Sequence, residues 1–150
     1  MLLDINAQPL VDPSRQALDT LNWGEVERLW NANRLAELHD WLNERWSALV
    51  RNSPAGQDDP EARFLQAWAF ATLALFFTQN HNQEGALLMA DDALVALARY
   101  RPSFMGVRVE AVAQCLQELR PLLSGLPADA PCPILPFVYP KFEWSRGGGV

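Results

Sequence analysis

The stretch Leu35–Trp46, LAELHDWLNERW, concentrates the residues of this chain best suited to acid–base or metal chemistry. His39 is one of two histidines; Glu37 precedes it by two positions, Asp40 follows it directly and Trp46 comes seven later. Imidazole nitrogen and carboxylate oxygen both serve as proton acceptors and as ligands for divalent ions, so this grouping is the raw material of a general base or a metal site. His39, Asp40 and Glu37 are therefore the candidate catalytic residues, and His39 is the candidate metal ligand. The position one helical turn after His39 is Asn43, an amide where a second ligand on the same face would need a carboxylate.

Those residues must be held by a helix. Leu35, Leu38, Leu42, Trp46 and Leu49 recur at helical spacing and define a buried stripe. With about 100° between residues, His39 falls about 55° from the centre of that stripe, at the core edge, with Asn43 and Trp46 on its side. Glu37, Asp40 and Glu44 fall on the opposite, polar face, so His39 and Asp40 are not expected to approach one ion together. A hydrogen-bonded structural histidine is the simpler reading of His39, and an exposed turn residue that of His81. A divalent metal is the one cofactor the pattern admits, and none is firmly implied.

Gln66, Asn43, Trp46 and Trp41 are the candidate binding residues. Gln66 and Thr72 are the polar side chains in the otherwise apolar FLQAWAFATLALFF, where a buried amide must find hydrogen-bond partners. Gln66 is expected either to bond His39 or Asn43 across a helix interface or to orient a ligand at the base of a pocket. Trp41 lies about 105° from its stripe and is a candidate contact residue.

The remaining elements read as helices. Asp12-Pro13 starts a short one, with Pro at the first helical position. Asn22 and Glu25 resemble a capping box ahead of Val26, Leu29 and Trp30, and Asn31-Ala32-Asn33 is a turn closed by a left-handed Asn. Arg51–Pro60 is a loop, and Asp59-Pro60 opens the apolar helix, which belongs at the centre of a bundle. Thr78–Gln83 is a polar turn. The next helix places Leu87, Leu94 and Leu97 inside and stops at Pro102. The last carries Val109, Val112, Leu116, Leu119 and Leu123 and is limited by Pro121. No strand pattern is evident. The expected fold is an all-α, compact antiparallel bundle of four to five helices over 1–124. A Pro-rich extended tail over 125–150 packs on it, with its last residues loose.

Bulk composition narrows the function. The net charge of −6 and pI of about 4.8 remove the general attraction to phosphate, and the basic residues are scattered singly, so nucleic acid is not an expected partner. The longest apolar run, 67–77, is too short to cross a bilayer, and the N-terminus lacks a signal-peptide pattern. Two cysteines without metal-type spacing fit a reduced, cytoplasmic protein. There is no Gly-x-Ser-x-Gly elbow and no phosphate-cradling glycine loop.

NANRLAELHDWLNERW also resembles the signature of the family catalogued as domain of unknown function 309. That signature is an Asn–x–Gly turn, then Glu–Ala–His–Glu, and a Trp seven residues after the His. Asn31, Glu37, His39 and Trp46 match, with Asp40 in place of the usual Glu. The resemblance runs on through Phe64–Gln66, the GALLMADDALVAL segment, Tyr100-Arg-Pro102 and the segment from Gly106 to Val109, and so covers about residues 22–123. It implies a compact helical bundle whose members have been labelled metal-dependent hydrolases. Asn33 departs from the turn glycine, Asn43 from the family's Glu, and Phe70 from a polar residue. The last two remove groups that a metal or acid–base site would use.

Two functions follow as expectations. One is a binding or scaffold module, with helical hairpins and small contact residues such as Gly85 and Ala93, taking a protein or small molecule or self-associating. The other is the family's metal-dependent hydrolysis, with His39 as ligand or base and Asp40, Glu37 and Gln66 as helpers.

Overall fold

The structure is a computed structural model that describes residues 23–127, 130–132 and 139–145. The expected helix at Asp12-Pro13, the capping role of Asn22 and most of the Pro-rich tail lie outside the described residues. The fold is all-α. Its helices are α1 (Trp23–Asn31), α2 (Leu35–Asn52), α3 (Pro60–Gln79), α4 (Gln83–Leu97) and α5 (Glu110–Ser124), with one-turn 3-10 segments at Gly56–Asp58 and Ala98–Tyr100.

Helix α3 is the hub, because α2 and α4 both pack along it while α5 packs on α4. Its start is fixed by Asp59, whose Oδ1 accepts from the backbone N–H of Glu61 (2.9 Å) and Ala62 (3.0 Å), with Pro60 in the first turn. Phe64, Leu65, Ala67, Trp68, Ala71, Ala74 and Leu75 are buried. Thr72, also buried, satisfies its hydroxyl by donating to Trp68 O at 2.7 Å. Helix α4 buries Ala86, Ala90, Ala93 and Leu97, while Leu87 and Leu94, expected inside, are only partly covered. The small side chains let α4 approach α3 closely, which rotates the larger leucines to the flanks. Gly85 belongs to the same close approach: a Cβ there would stand 3.0 Å from Phe77 Cδ2. Val109, Val112, Leu116, Leu119 and Leu123 are all buried, as their spacing predicts. Pro121 does not end α5, since a proline in the final turn removes only one helical bond and Gly125 N–H still donates to Pro121 O at 3.1 Å.

A small β-hairpin, missed in the sequence, pairs β1 (Ser103–Phe104) with β2 (Val107–Arg108). Two-residue strands are too short to show alternation. The turn is chemically legible, for Met105 (φ 51) and Gly106 (φ 80) both take the left-handed conformation that such hairpins need.

Residues 139–145 strap the bundle. Phe142 inserts between Trp23 (ring centroids 5.8 Å, stacked) and Trp68 (5.2 Å, edge-on), and Trp144 bridges to Val107. The turn after α1 holds the strap by side-chain amides: Phe142 N–H donates to Asn31 Oδ1 at 2.8 Å, and Tyr139 hydroxyl meets Trp30 O (2.9 Å) and Asn33 Oδ1 (3.1 Å). Trp30 Nε1 donates to Pro140 O at 2.8 Å. Further back, Cys132 N–H donates to His81 Nδ1 at 3.0 Å and Cys132 is buried.

Asn33 has φ 60, a conformation glycine would adopt freely, but its Oδ1 also accepts from Gln79 Nε2 at 2.8 Å. Asn33→Gly is expected to lower unfolding stability by about 1–2 kcal/mol despite easing the backbone. Phe142→Ala is expected to lower it by about 3–5 kcal/mol, the usual range for a buried phenyl. Urea unfolding reads both, and an unchanged midpoint for Phe142→Ala would show that the strap adds nothing to the core.

Candidate functional site

Helix α2 carries the His39 group. The His39 side chain is 30% exposed and that of Asp40 87%, and Nδ1 stands 3.7 Å from Asp40 Oδ1. The two side chains therefore come closer than helix geometry alone predicts, because neighbours on a helix can bend toward each other across solvent. At 3.7 Å this is a charge contact and not a hydrogen bond. Glu37 is drawn away by Arg34, whose guanidinium holds both carboxylate oxygens. Asn43 is exposed. Among the described residues, no three His, Cys, Asp or Glu side chains converge closely enough to hold a metal ion. Trp41 is half-buried against the core, with the Arg45 guanidinium carbon 5.2 Å from its ring centroid.

Gln66 is not buried, which corrects the expectation of an interior amide. Helix α3 is apolar all round only in its second half. In its first two turns, Arg63 and Gln66 lie one turn apart on an outward stripe. That stripe faces an open cleft of about 390 Å³, where Gln66 meets Trp46, the other sequence candidate that the fold brings there. His39, Asp40, Glu37, Asn43 and Trp41 do not line it.

Five elements build the cleft. Helix α2 gives Trp46, the 3-10 turn gives Gln57 and Asp58, and α3 gives Arg63 and Gln66. The end of α4 and the following 3-10 turn give Val95, Ala96, Arg99 and Tyr100. Its lining is mostly polar, with Trp46, Val95 and Ala96 adding apolar surface, and Val95 at 80% exposed is the most open large hydrophobic residue described. Most of its polar groups are left unengaged. The Tyr100 hydroxyl, Arg99, Gln57 and Gln66 have no hydrogen-bond partner among the described residues and are reached by solvent. Arg63 is committed: it donates to Asp58 Oδ1 at 2.6 Å, and that hydrogen bond raises its pKa above the usual arginine value.

Tyr100, Arg99, Arg63, Gln57 and Asp58 were not singled out as site residues in the sequence. The arginines read there as isolated surface charges, and only the fold gathers two of them on one cleft. The available signal was Arg99-Tyr100 ahead of Pro102, a cation and a phenol placed where a helix must stop.

Comparisons with protein-family models, with curated proteins and with solved structures find no match to this chain.

Neither cysteine offers a nucleophile. Burial, with the charge of Glu118 adding to it, pushes the Cys115 thiol up to about 11. Alkylation of folded Cys115 by iodoacetamide should keep rising through pH 10 before levelling, whereas a plateau near the ordinary thiol pKa of about 8.5 would contradict its burial. The linkage sign follows: stability associated with this raised group is fully present below the unfolded thiol's pKa and is lost as pH climbs through 11. Gln66→Ala, at an exposed site, should leave the urea midpoint within about 0.5 kcal/mol of the parent.

Proposed function

We propose that this chain is a binding module that takes a small molecule in the cleft between Trp46, Gln66 and Tyr100. The observation that carries this reading is a cleft of about 390 Å³ that gathers Arg99, Gln66 and Tyr100 beside Trp46, with none of the three side chains hydrogen-bonded to another described residue. A ligand group can replace the water these side chains now meet, and a hydrogen bond to the charged Arg99 contributes about 1.5–3 kcal/mol. The size also fits, since small-molecule sites occupy roughly 300–1,000 Å³.

The test is a nuclear magnetic resonance screen of aromatic fragments of every charge, following the Trp46 indole N–H and the Gln66 side-chain amide. Fragments that shift both signals, and no longer shift the Trp46 signal in Gln66→Trp, support the reading. Gln66→Trp fills the cleft from an exposed position without touching the core. If no fragment moves either signal, the cleft is not a binding site.

A second reading is the metal-dependent hydrolysis implied by the resemblance to the domain of unknown function 309 family, with His39 as ligand or base and Asp40 beside it, and with Glu37 joining only on release from Arg34. Its support is the approach of His39 Nδ1 to Asp40 Oδ1. Purified protein retaining stoichiometric zinc, manganese or iron, and losing it in His39→Ala, would favour this reading. Protein that retains none, with no rise in melting temperature on adding these ions, would remove it.

A further inference from the structure

Resting on the cleft reading above, we infer that the ligand is a small organic monoanion, an aromatic carboxylate, seated with its charge on Arg99 and its ring against Trp46 and Val95. Charge comes first. Two arginines against one aspartate leave the cleft lining one positive charge, on a chain whose net charge is −6. Asp58 already engages Arg63, so Arg99 is the guanidinium available to a ligand. One planar guanidinium fork matches one carboxylate, which accepts two parallel hydrogen bonds. A dianionic phosphate monoester would leave a negative charge uncompensated, because the second arginine is committed.

Shape gives the rest of the class. The indole of Trp46 and the exposed Val95 side chain present apolar surface, and Tyr100 lines the same cleft. A ring-bearing ligand covers the apolar surface that water now meets. Tyr100 can then donate to the carboxylate or to a ring substituent, and the Gln66 amide offers both a donor and an acceptor beside it. Arg63 adds to the attraction from one side without being released from Asp58: Tyr100 and Arg63 are close enough to interact electrostatically.

The probes are benzoate, benzamide, benzylamine and phenyl phosphate, titrated into the full chain at fixed ionic strength and followed at the Trp46 indole N–H. Benzoate is expected to bind at least roughly tenfold more tightly than benzamide, benzylamine and phenyl phosphate, the factor expected for a charge-assisted hydrogen bond. Arg99→Gln is expected to remove that preference while Arg28→Gln, on α1, keeps it. Arg99 is exposed and unpaired among the described residues, so its loss leaves the fold intact. Benzamide binding as well as benzoate would overturn the carboxylate assignment while leaving the cleft a binding site. Tighter binding of phenyl phosphate would also overturn it. A benzoate preference that survives in Arg99→Gln would overturn the role of Arg99. Failure of all four probes to shift the signal would overturn the assignment, and the wider fragment screen then decides the cleft reading separately.

Discussion

A continuous run of aromatic rings through the middle of the bundle is the constraint on which the other features depend. Tyr100 and Phe104 each stand 4.8 Å from Phe64, which meets Trp23 at 5.5 Å and Trp68 at 6.3 Å. Trp68 in turn meets Trp30 at 5.3 Å, and Trp30 meets Tyr139 at 5.5 Å. Most of these contacts are edge-to-face, the arrangement in which a positive ring edge meets a negative ring face. The buried indole N–H groups of Trp23 and Trp68 have no hydrogen-bond acceptor among the described residues, and both rings stand edge-on to Phe64. The run joins the cleft wall at one end to the C-terminal strap at the other. Its two central members, Phe64 and Trp68, lie one turn apart on α3, so a single helix sets the position of both.

The strap is a part of the core delivered by extended chain. A helix presents side chains on all sides, whereas an extended segment can place Phe142 inside while its backbone bonds to neighbours on either edge. Arg108 N–H donates to Glu143 O at 3.0 Å and Ser145 N–H to Gly106 O at 2.7 Å, so the hairpin supplies one edge. The amides of Asn31 and Asn33 supply the other. This explains why an asparagine stands where glycine would satisfy the backbone alone. Arg101, bonded through two of its guanidinium nitrogens to Glu110, ties the chain before the hairpin to α5 and holds the Glu110 carboxyl below the usual carboxylate range.

Helical periodicity made the frame legible. The stripes of α2 and α5, the Asp59-Pro60 start and the left-handed Asn33 could all be read because each is a local rule acting on neighbouring residues. The inner face of α4 was misread because hydrophobicity favours leucine, while a close helix contact favours alanine. Gln66 was misread for a related reason: a mostly apolar segment implies burial on every side, and only the packing reveals which turns of α3 meet solvent. The cleft escaped notice because its residues are separated by up to fifty-four positions, Trp46 to Tyr100, and no spacing rule connects them. His39 drew attention through its residue type, which says nothing about whether other ligands surround it.

The alanine face of α4 has a kinetic meaning. Helices in contact through Ala86, Ala90 and Ala93 have no long side chains to repack, so sliding or hinging one against the other would open voids at once. The two walls that α3 and α4 contribute to the cleft are thereby carried on one rigid piece. A guest entering it meets a shape already made, so association needs orientation and not a slow rearrangement of the host. Discrimination between guests must then reside in how long each one stays.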